Sequence, residues 1–284
     1  MQIAIGIIFG IVSMLSWGAS DFFVTKSARG TNLFKAFFWS QIIALCIMLP
    51  IFLIFFKLPQ FSISIILLIL ASGILTVIAN LSFYRGLQVG KVSVIMPVES
   101  CWAIVTVLLS LTLLSEVLTG MQATGIILIL AGAVLVSFKW RNLLKIKNPA
   151  KGIKYAIIAA IAYGIDFVII DLLAKQIGWF LPIFFIGAIT AAYMLIFSGT
   201  TKKDISFPKN VTWFIILVGI LDTVAYLAYS SGVTSEFGSI VAPIGAASPV
   251  VAIILAKIFF KENIEMNQIT GIVAVILGLI LVSL

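Results

Sequence analysis

The chain has 284 residues, 62% of them hydrophobic and only 10% charged, where a soluble domain carries about 25% charged residues. It has no histidine and two cysteines, and it shows no zinc-ligand spacing, P-loop or nucleophile elbow, so metal, ATP-driven and esterase-type chemistry have no footing here. The net charge of +8 is scattered over the ends of apolar runs rather than gathered into a patch, which argues against a nucleic-acid partner.

Ten apolar runs follow one another, at roughly 3–24, 35–56, 62–87, 91–114, 120–138, 152–173, 179–198, 210–232, 238–260 and 266–283. About 20 apolar residues in a helix cross a hydrocarbon core. Backbone groups in lipid must be satisfied within the segment, and these runs are too long and too evenly apolar for barrel strands, so the sequence predicts ten helices. The run at 1–24 has no basic residue ahead of it and is expected to be a span, not a signal peptide. Cys46 and Cys101 fall within spans and imply no disulfide. The connections are short; the longest, about 139–151, carries Lys139, Arg141, Lys145, Lys147 and Lys151. Connections after odd-numbered spans, with their helix ends, hold 16 of the 18 Lys and Arg residues; only Lys57 and Lys175 lie on the other side. The positive-inside rule then puts the odd connections in the cytoplasm and both termini outside.

Ionisable residues inside spans are costly and should face a cavity or a partner. In chain order, Asp21 lies near the end of the first span on the side of Lys26, Arg85 and Lys91, and a rim salt bridge to Arg85 is expected. Asn80 in the third span and Glu99 in the fourth lie at similar depth. Asp166 is somewhat past the middle of the sixth span, and Asp222 is close to the centre of the eighth. These four are expected to converge on a central acidic cavity that binds a cation, an amine or a coupling proton. Trp17, Trp102, Tyr163, Tyr226 and Tyr229 also fall within spans. Bundle packing is the default for each, with Tyr226, one turn from Asp222, as the best candidate for solute contact alongside Trp17. Pro97 and Pro243 are expected to kink the fourth and ninth spans, with Pro249 a second irregularity. Asp171, beside Lys175, reads as a solvated end charge, and Glu116 and Glu262 as caps for the fifth and tenth spans. Gly6 and Gly10, and the pairs Gly125/Gly132 and Gly271/Gly278, suit close helix contact.

The second half repeats the first at an offset of 146: sliding 81–138 onto 227–284 gives fifteen identities in fifty-eight pairs. The informative ones are Gly86/Gly232, Ser93/Ser239, Pro97/Pro243, Glu116/Glu262, Gln122/Gln268, Thr124/Thr270, Gly125/Gly271 and Gly132/Gly278, and the register extends to Gly6/Gly152 and Gly18/Gly164. Five spans per repeat force the second copy to enter the bilayer from the opposite side. The fold class expected is therefore an all-α membrane protein of ten helices in two inverted five-helix repeats, residues 1–140 and 150–284.

The residues Ser16-Trp17-Gly18-Ala19-Ser20-Asp21-Phe22, Tyr84-Arg85-Gly86-Leu87-Gln88-Val89-Gly90-Lys91-Val92-Ser93, Leu114-Ser115-Glu116-Val117-Leu118-Thr119 and Gln122-Ala123-Thr124-Gly125 carry a family pattern. So do Ala162-Tyr163-Gly164, Ala242-Pro243, Phe260-Lys261-Glu262 and Gln268-Ile269-Thr270-Gly271. In their order, spacing and duplication they resemble the drug/metabolite transporter superfamily, in its ten-helix EamA branch. The resemblance implies a central cavity, alternating access and transport of a small solute, and it implies cytoplasmic termini, opposite to the charge bias. Tyr163 stands where the family often has Trp, and Asp222 is an acid that most members need not have. The function expected is secondary transport of a small polar metabolite, an amine, amino acid or similar, across the cell membrane, with a coupling proton or cation. No cofactor is expected, and the partners are the solute, the bilayer and at most a weak dimer. The rival readings are an integral membrane enzyme or a flippase of lipid-linked intermediates, either of which needs a phosphate clamp.

Overall fold

The computed structural model describes residues 2–27, 32–90, 92–140, 152–261 and 263–284. Among them are twelve α-helices and no strand: α1 (Gln2–Ser27), α2 (Leu33–Phe55), α3 (Ile63–Val89), α4 (Val92–Glu99), α5 (Trp102–Leu113), α6 (Gly120–Val136), α7 (Ile153–Ile177), α8 (Phe180–Thr201), α9 (Thr212–Ser235), α10 (Gly238–Ala246), α11 (Ser248–Phe260) and α12 (Met266–Ser283). The pairs α4–α5 and α10–α11 are each one interrupted crossing, so the twelve helices make ten passes, as the apolar runs predict. Expected kinks at Pro97 and Pro243 are full breaks, at Ser100–Cys101 and at Ala247. Proline deprives the preceding turn of an N–H, and Pro249 lies in the first turn of α11, where a missing donor costs nothing. The connection at 141–151 and Glu262 lie outside the described residues.

Local chemistry sets the helix ends. Asn32 and Ser62 accept from the first-turn amides of α2 and α3, at 2.9 and 3.2 Å. The repeat pair Gln122/Gln268 has a physical reason: each glutamine sits three residues into its helix and reaches back to the cap amide, of Thr119 at 3.0 Å and of Glu265 at 3.1 Å. Large apolar side chains point outward, Leu53, Ile54, Phe55, Ile63 and Ile196 among them, a surface that water would punish and lipid accepts.

Glycines record the symmetry. A Cβ on Gly18 would strike the Ser248 carbonyl and Val251, and one on Gly164 the Trp102 carbonyl and Val105. Gly73 meets Ile189 as Gly219 meets Ile43, and Gly6 approaches Gly232 as Gly152 approaches Gly86. Every contact is matched 146 residues along, so α1 packs on α9 as α7 packs on α3. At the far edge α6 and α12 run antiparallel along a glycine seam: a Cβ on Gly125 would lie 2.8 Å from the Gly278 carbonyl oxygen, and one on Gly132 2.6 Å from that of Gly271. Small residues let backbones approach where lipid supplies no hydrophobic drive between helices.

Candidate functional site

Ten-helix packing leaves a central cavity of about 160 Å³. Its walls come from α1 (Trp17, Ser20, Asp21), α2 (Ser40, Gln41), α3 (Asn80, Tyr84), α4 (Glu99), α7 (Tyr163, Phe167), α9 (Asp222, Tyr226) and the α10–α11 break. Each wall residue lies in the half of its helix nearer the odd connections or at mid-helix, so the cavity faces that side of the membrane. The breaks in the fourth and ninth passes lie against it: Ser100, Trp102, Ala246, Ser248 and Pro249 all line it. Interrupted backbone belongs where it borders a cavity rather than lipid.

Of the residues singled out from sequence, the structure brings Asp222, Glu99, Asn80, Tyr226 and Trp17 together in this cavity. Asn80 is steadied by its amide donating to the Thr76 carbonyl at 2.9 Å. Asp21 belongs with them, which corrects the expected rim salt bridge. Arg85 is exposed and among the described residues reaches Gln88, at 3.4 Å, while Asp21 lines the cavity and accepts from the Ser248 hydroxyl at 3.3 Å. One helical residue is a turn of about 100°, enough to take Arg85 to the outer surface although Tyr84 beside it lines the cavity. Asp166 does not line this cavity. It is fully buried in a smaller pocket of about 40 Å³, accepting from the Ser72 hydroxyl and from Thr76 at 2.8 Å. Asp222, Tyr226, Ser40 and Gln41 line both spaces, so the two adjoin. Sequence reading missed Gln41, Tyr84, Ser20 and Ser100; a polar Gln41 within an apolar run was the one available signal.

Beneath the acids lies an aromatic floor. Trp17 meets Phe167, Tyr226, Trp102 and Tyr229 at centroid distances of 5.4, 5.3, 6.1 and 6.1 Å. Trp102 stacks on Phe167 at 4.2 Å, and Tyr229, fully buried, seals the bottom. Three carboxylates and no Lys or Arg line the cavity among the described residues. These acids have no basic counter-charge in the wall, so the hollow attracts cations and offers a phosphate group no basic side chain to hold it.

The end remote from the cavity mouth is shut, and two further expectations fail there. Glu116 does not cap the fifth pass. Its carboxylate accepts from the Gly238 and Ser239 amides at 3.0 and 2.9 Å, capping α10 of the opposite repeat, while Thr119 caps α6. Asp171 is fully buried, not solvated, and pairs with Lys175 at 2.8 Å.

This geometry defines a polytopic helical membrane protein built on an inverted repeat around a central polar hollow. The comparisons name the group. The model of the EamA-like transporter family matches residues 4–138 and again 150–284, and the chain belongs to that family, a group within the drug/metabolite transporter superfamily. It is therefore a multi-pass protein of the cell membrane. It is 25% identical to an "uncharacterized transporter" of Archaeoglobus fulgidus across 98% of both chains. A protein of Methanocaldococcus jannaschii is 32% identical over 133 residues, 46% of this chain and 95% of its own length. An "uncharacterized transporter" of Clostridium kluyveri is 27% identical over 63% of this chain and 59% of its own. A solved crystal structure at 14% identity superposes with a TM-score of 0.80 over 97% of this chain and 95% of that one, which speaks for the fold alone.

Proposed function

We propose that the protein is a secondary active transporter of a small, positively charged polar metabolite, an amine, amino acid or similar. It works by alternating access, as residues 1–140 rock against 150–284 around the cavity. The observation that carries this reading is the cavity wall: Asp21, Glu99 and Asp222 with Trp17, Tyr163 and Tyr226, and no basic residue among those described. Carboxylates draw in an ammonium group and aromatic faces hold it by cation–π attraction. The same wall argues against a flippase or an enzyme of lipid-linked phosphates, which needs the phosphate clamp this hollow lacks.

Uptake of labelled amines and amino acids into proteoliposomes, chosen by a thermal-shift screen, tests the proposal. Asp222→Asn is expected to abolish uptake while the protein still folds; uptake equal to wild type would remove Asp222 from the site. The cavity mouth lies on the odd-connection face, which the charge bias puts in the cytoplasm and the resemblance puts outside. A reporter fused after Leu284 decides which, and with it whether this conformation is open inward or outward.

A further inference from the structure

The shut end of the molecule carries more negative charge than it neutralises. Glu116, Asp171 and Lys175 meet there: Lys175 lies 2.8 Å from Asp171 and 3.5 Å from Glu116. The two carboxyl side chains are 3% and 0% exposed, whereas that of Lys175 is 40% exposed. One ammonium therefore serves two buried carboxylates. Glu116 is also tied to the α10 amides of Gly238 and Ser239. Apart from the Lys175 ammonium, Asp171 has no hydrogen-bond donor among the described residues, although Asp171 and Glu116 lie within hydrogen-bonding reach of each other. Two carboxylates cannot bond one another unless a proton stands between them. Further buried hydroxyls without partners among the described residues are those of Ser110, Ser239 and, on α9, Tyr229. A Cβ at Gly238 would lie 2.5 Å from Asp171 Oδ2 and 3.4 Å from Ser110 Oγ, so only a bare glycine fits between them. Among the described residues Glu236, at the end of α9, is turned to the Phe237 amide and packs on Gly6; α5 and α10 bring no charged residue.

We propose that this cluster is a proton-binding site, separate from the solute cavity, holding one exchangeable proton between Glu116 and Asp171. The proposal rests on the transporter reading in one respect, that this end opens during the cycle. Opening pulls α10 from Glu116 and admits water. The proton then leaves Asp171 or Glu116 for that water, and two carboxylates remain with Lys175. Closing takes one proton back. The coupling ion is thus bound at the closure itself rather than beside the solute.

Infrared spectroscopy of the protein in lipid nanodiscs reads the proton without any transport. At neutral pH the wild type is expected to show a carboxylic-acid C=O band that Glu116→Gln and Asp171→Asn each remove and Asp222→Asn leaves in place. Lys175→Gln, at an accessible side chain, is expected to keep the band and carry it to higher pH, because the competing positive charge is gone. Melting curves establish that each variant is folded. If either acidic variant fails to fold, the wild-type and Lys175→Gln titrations decide alone. A wild-type-minus-variant difference spectrum with no carboxylic-acid band for either acidic substitution, or a pH midpoint indifferent to Lys175, overturns the proposal. So does a sodium-dependent rise in melting temperature with no such band, which would give the spare charge to a metal cation. Loss of uptake in Asp222→Asn bears on the cavity and leaves this band untouched, so the two readings fail separately.

Discussion

The glycine seam between α6 and α12 makes a quantitative prediction. A Cβ added at Gly132 would sit 2.6 Å from the Gly271 carbonyl oxygen, 2.8 Å from Val275 Cγ2 and 3.0 Å from the Val275 amide nitrogen. Ordinary contact begins near 3.4 Å, and two of the three obstacles are backbone atoms, so α12 must retreat by roughly 0.8 Å at that level. A gap of that size forfeits about a quarter to a half of each contact's dispersion energy. Overpacking of this kind costs about 1–3 kcal/mol, or about 5- to 150-fold in the folded-to-unfolded ratio. Gly132→Ala should therefore lower stability by that amount in a tryptophan-fluorescence denaturation series. Gly120→Ala, with nothing within 4 Å, should change it little. Gly132→Ala and Gly271→Ala relieve the same clash once the helices part, so the double variant should lose clearly less than the sum of the singles. Neither helix lines the cavity, so KM for the solute should hold in the folded fraction. Equal losses at Gly120 and Gly132, or strict additivity of the pair, would refute the seam.

Other expectations follow from single contacts. Trp17→Ala removes the centre of the aromatic floor and should weaken binding of a cationic solute by roughly two- to thirty-fold, about 0.5–2 kcal/mol of cation–π attraction; Trp17→Phe should recover most of it in the same titration. Asp166→Ala strips the acceptor from the Ser72 and Thr76 hydroxyls and should cost about 1–3 kcal/mol on unfolding, with Asp166→Asn losing less. In the α8–α9 loop the Lys35 ammonium, with help from Ser206, holds the Asp204 carboxyl down at about 2 against its usual 3.8. Its contribution to stability is present above the ordinary value and lost as pH falls through about 2. A carboxyl-resolved NMR titration should find that midpoint, and Lys35→Gln should raise it toward the ordinary range; a midpoint blind to Lys35 would dissolve the pair.

The passes, the break-bearing prolines and the 146-residue repeat were legible because each is written in local spacing. Depth along a helix is also legible, which is why Asp222, Glu99 and Asn80 arrived at one level. Direction around the helix is not, and Arg85 failed there. Glu116 failed because its partners, Gly238 and Ser239, lie more than a hundred residues away in the other repeat. Asp171 failed because a place near a helix end was taken for a place at the surface. Its helix α7 is the most enclosed of the spans, with 67% of its apolar window buried. The cavity's acids announced themselves by their cost in lipid; the hydroxyls and Gln41 that share the wall are cheap enough to occur in any bundle.

The repeat offset pairs Asp222 with Thr76, Ser20 with Asp166, and Glu99 with Gly245. Asp166 is held by Thr76 across the repeats as Asp222 lies against Ser20 across them, the same station with acid and alcohol exchanged. Were the hollow to reappear on the opposite leaflet through the same rotation, Gly245 and Phe167 would hand their places to Glu99 and Asp21, so those two acids stay and Asp222 alone is exchanged for Asp166. A cation would then keep two of its acids throughout and trade the third for one already bonded to the Ser72 and Thr76 hydroxyls. The machine is two-fold in backbone and even in its tally of acids, yet one of the three changes identity and partners, so the halves of its cycle are not interchangeable.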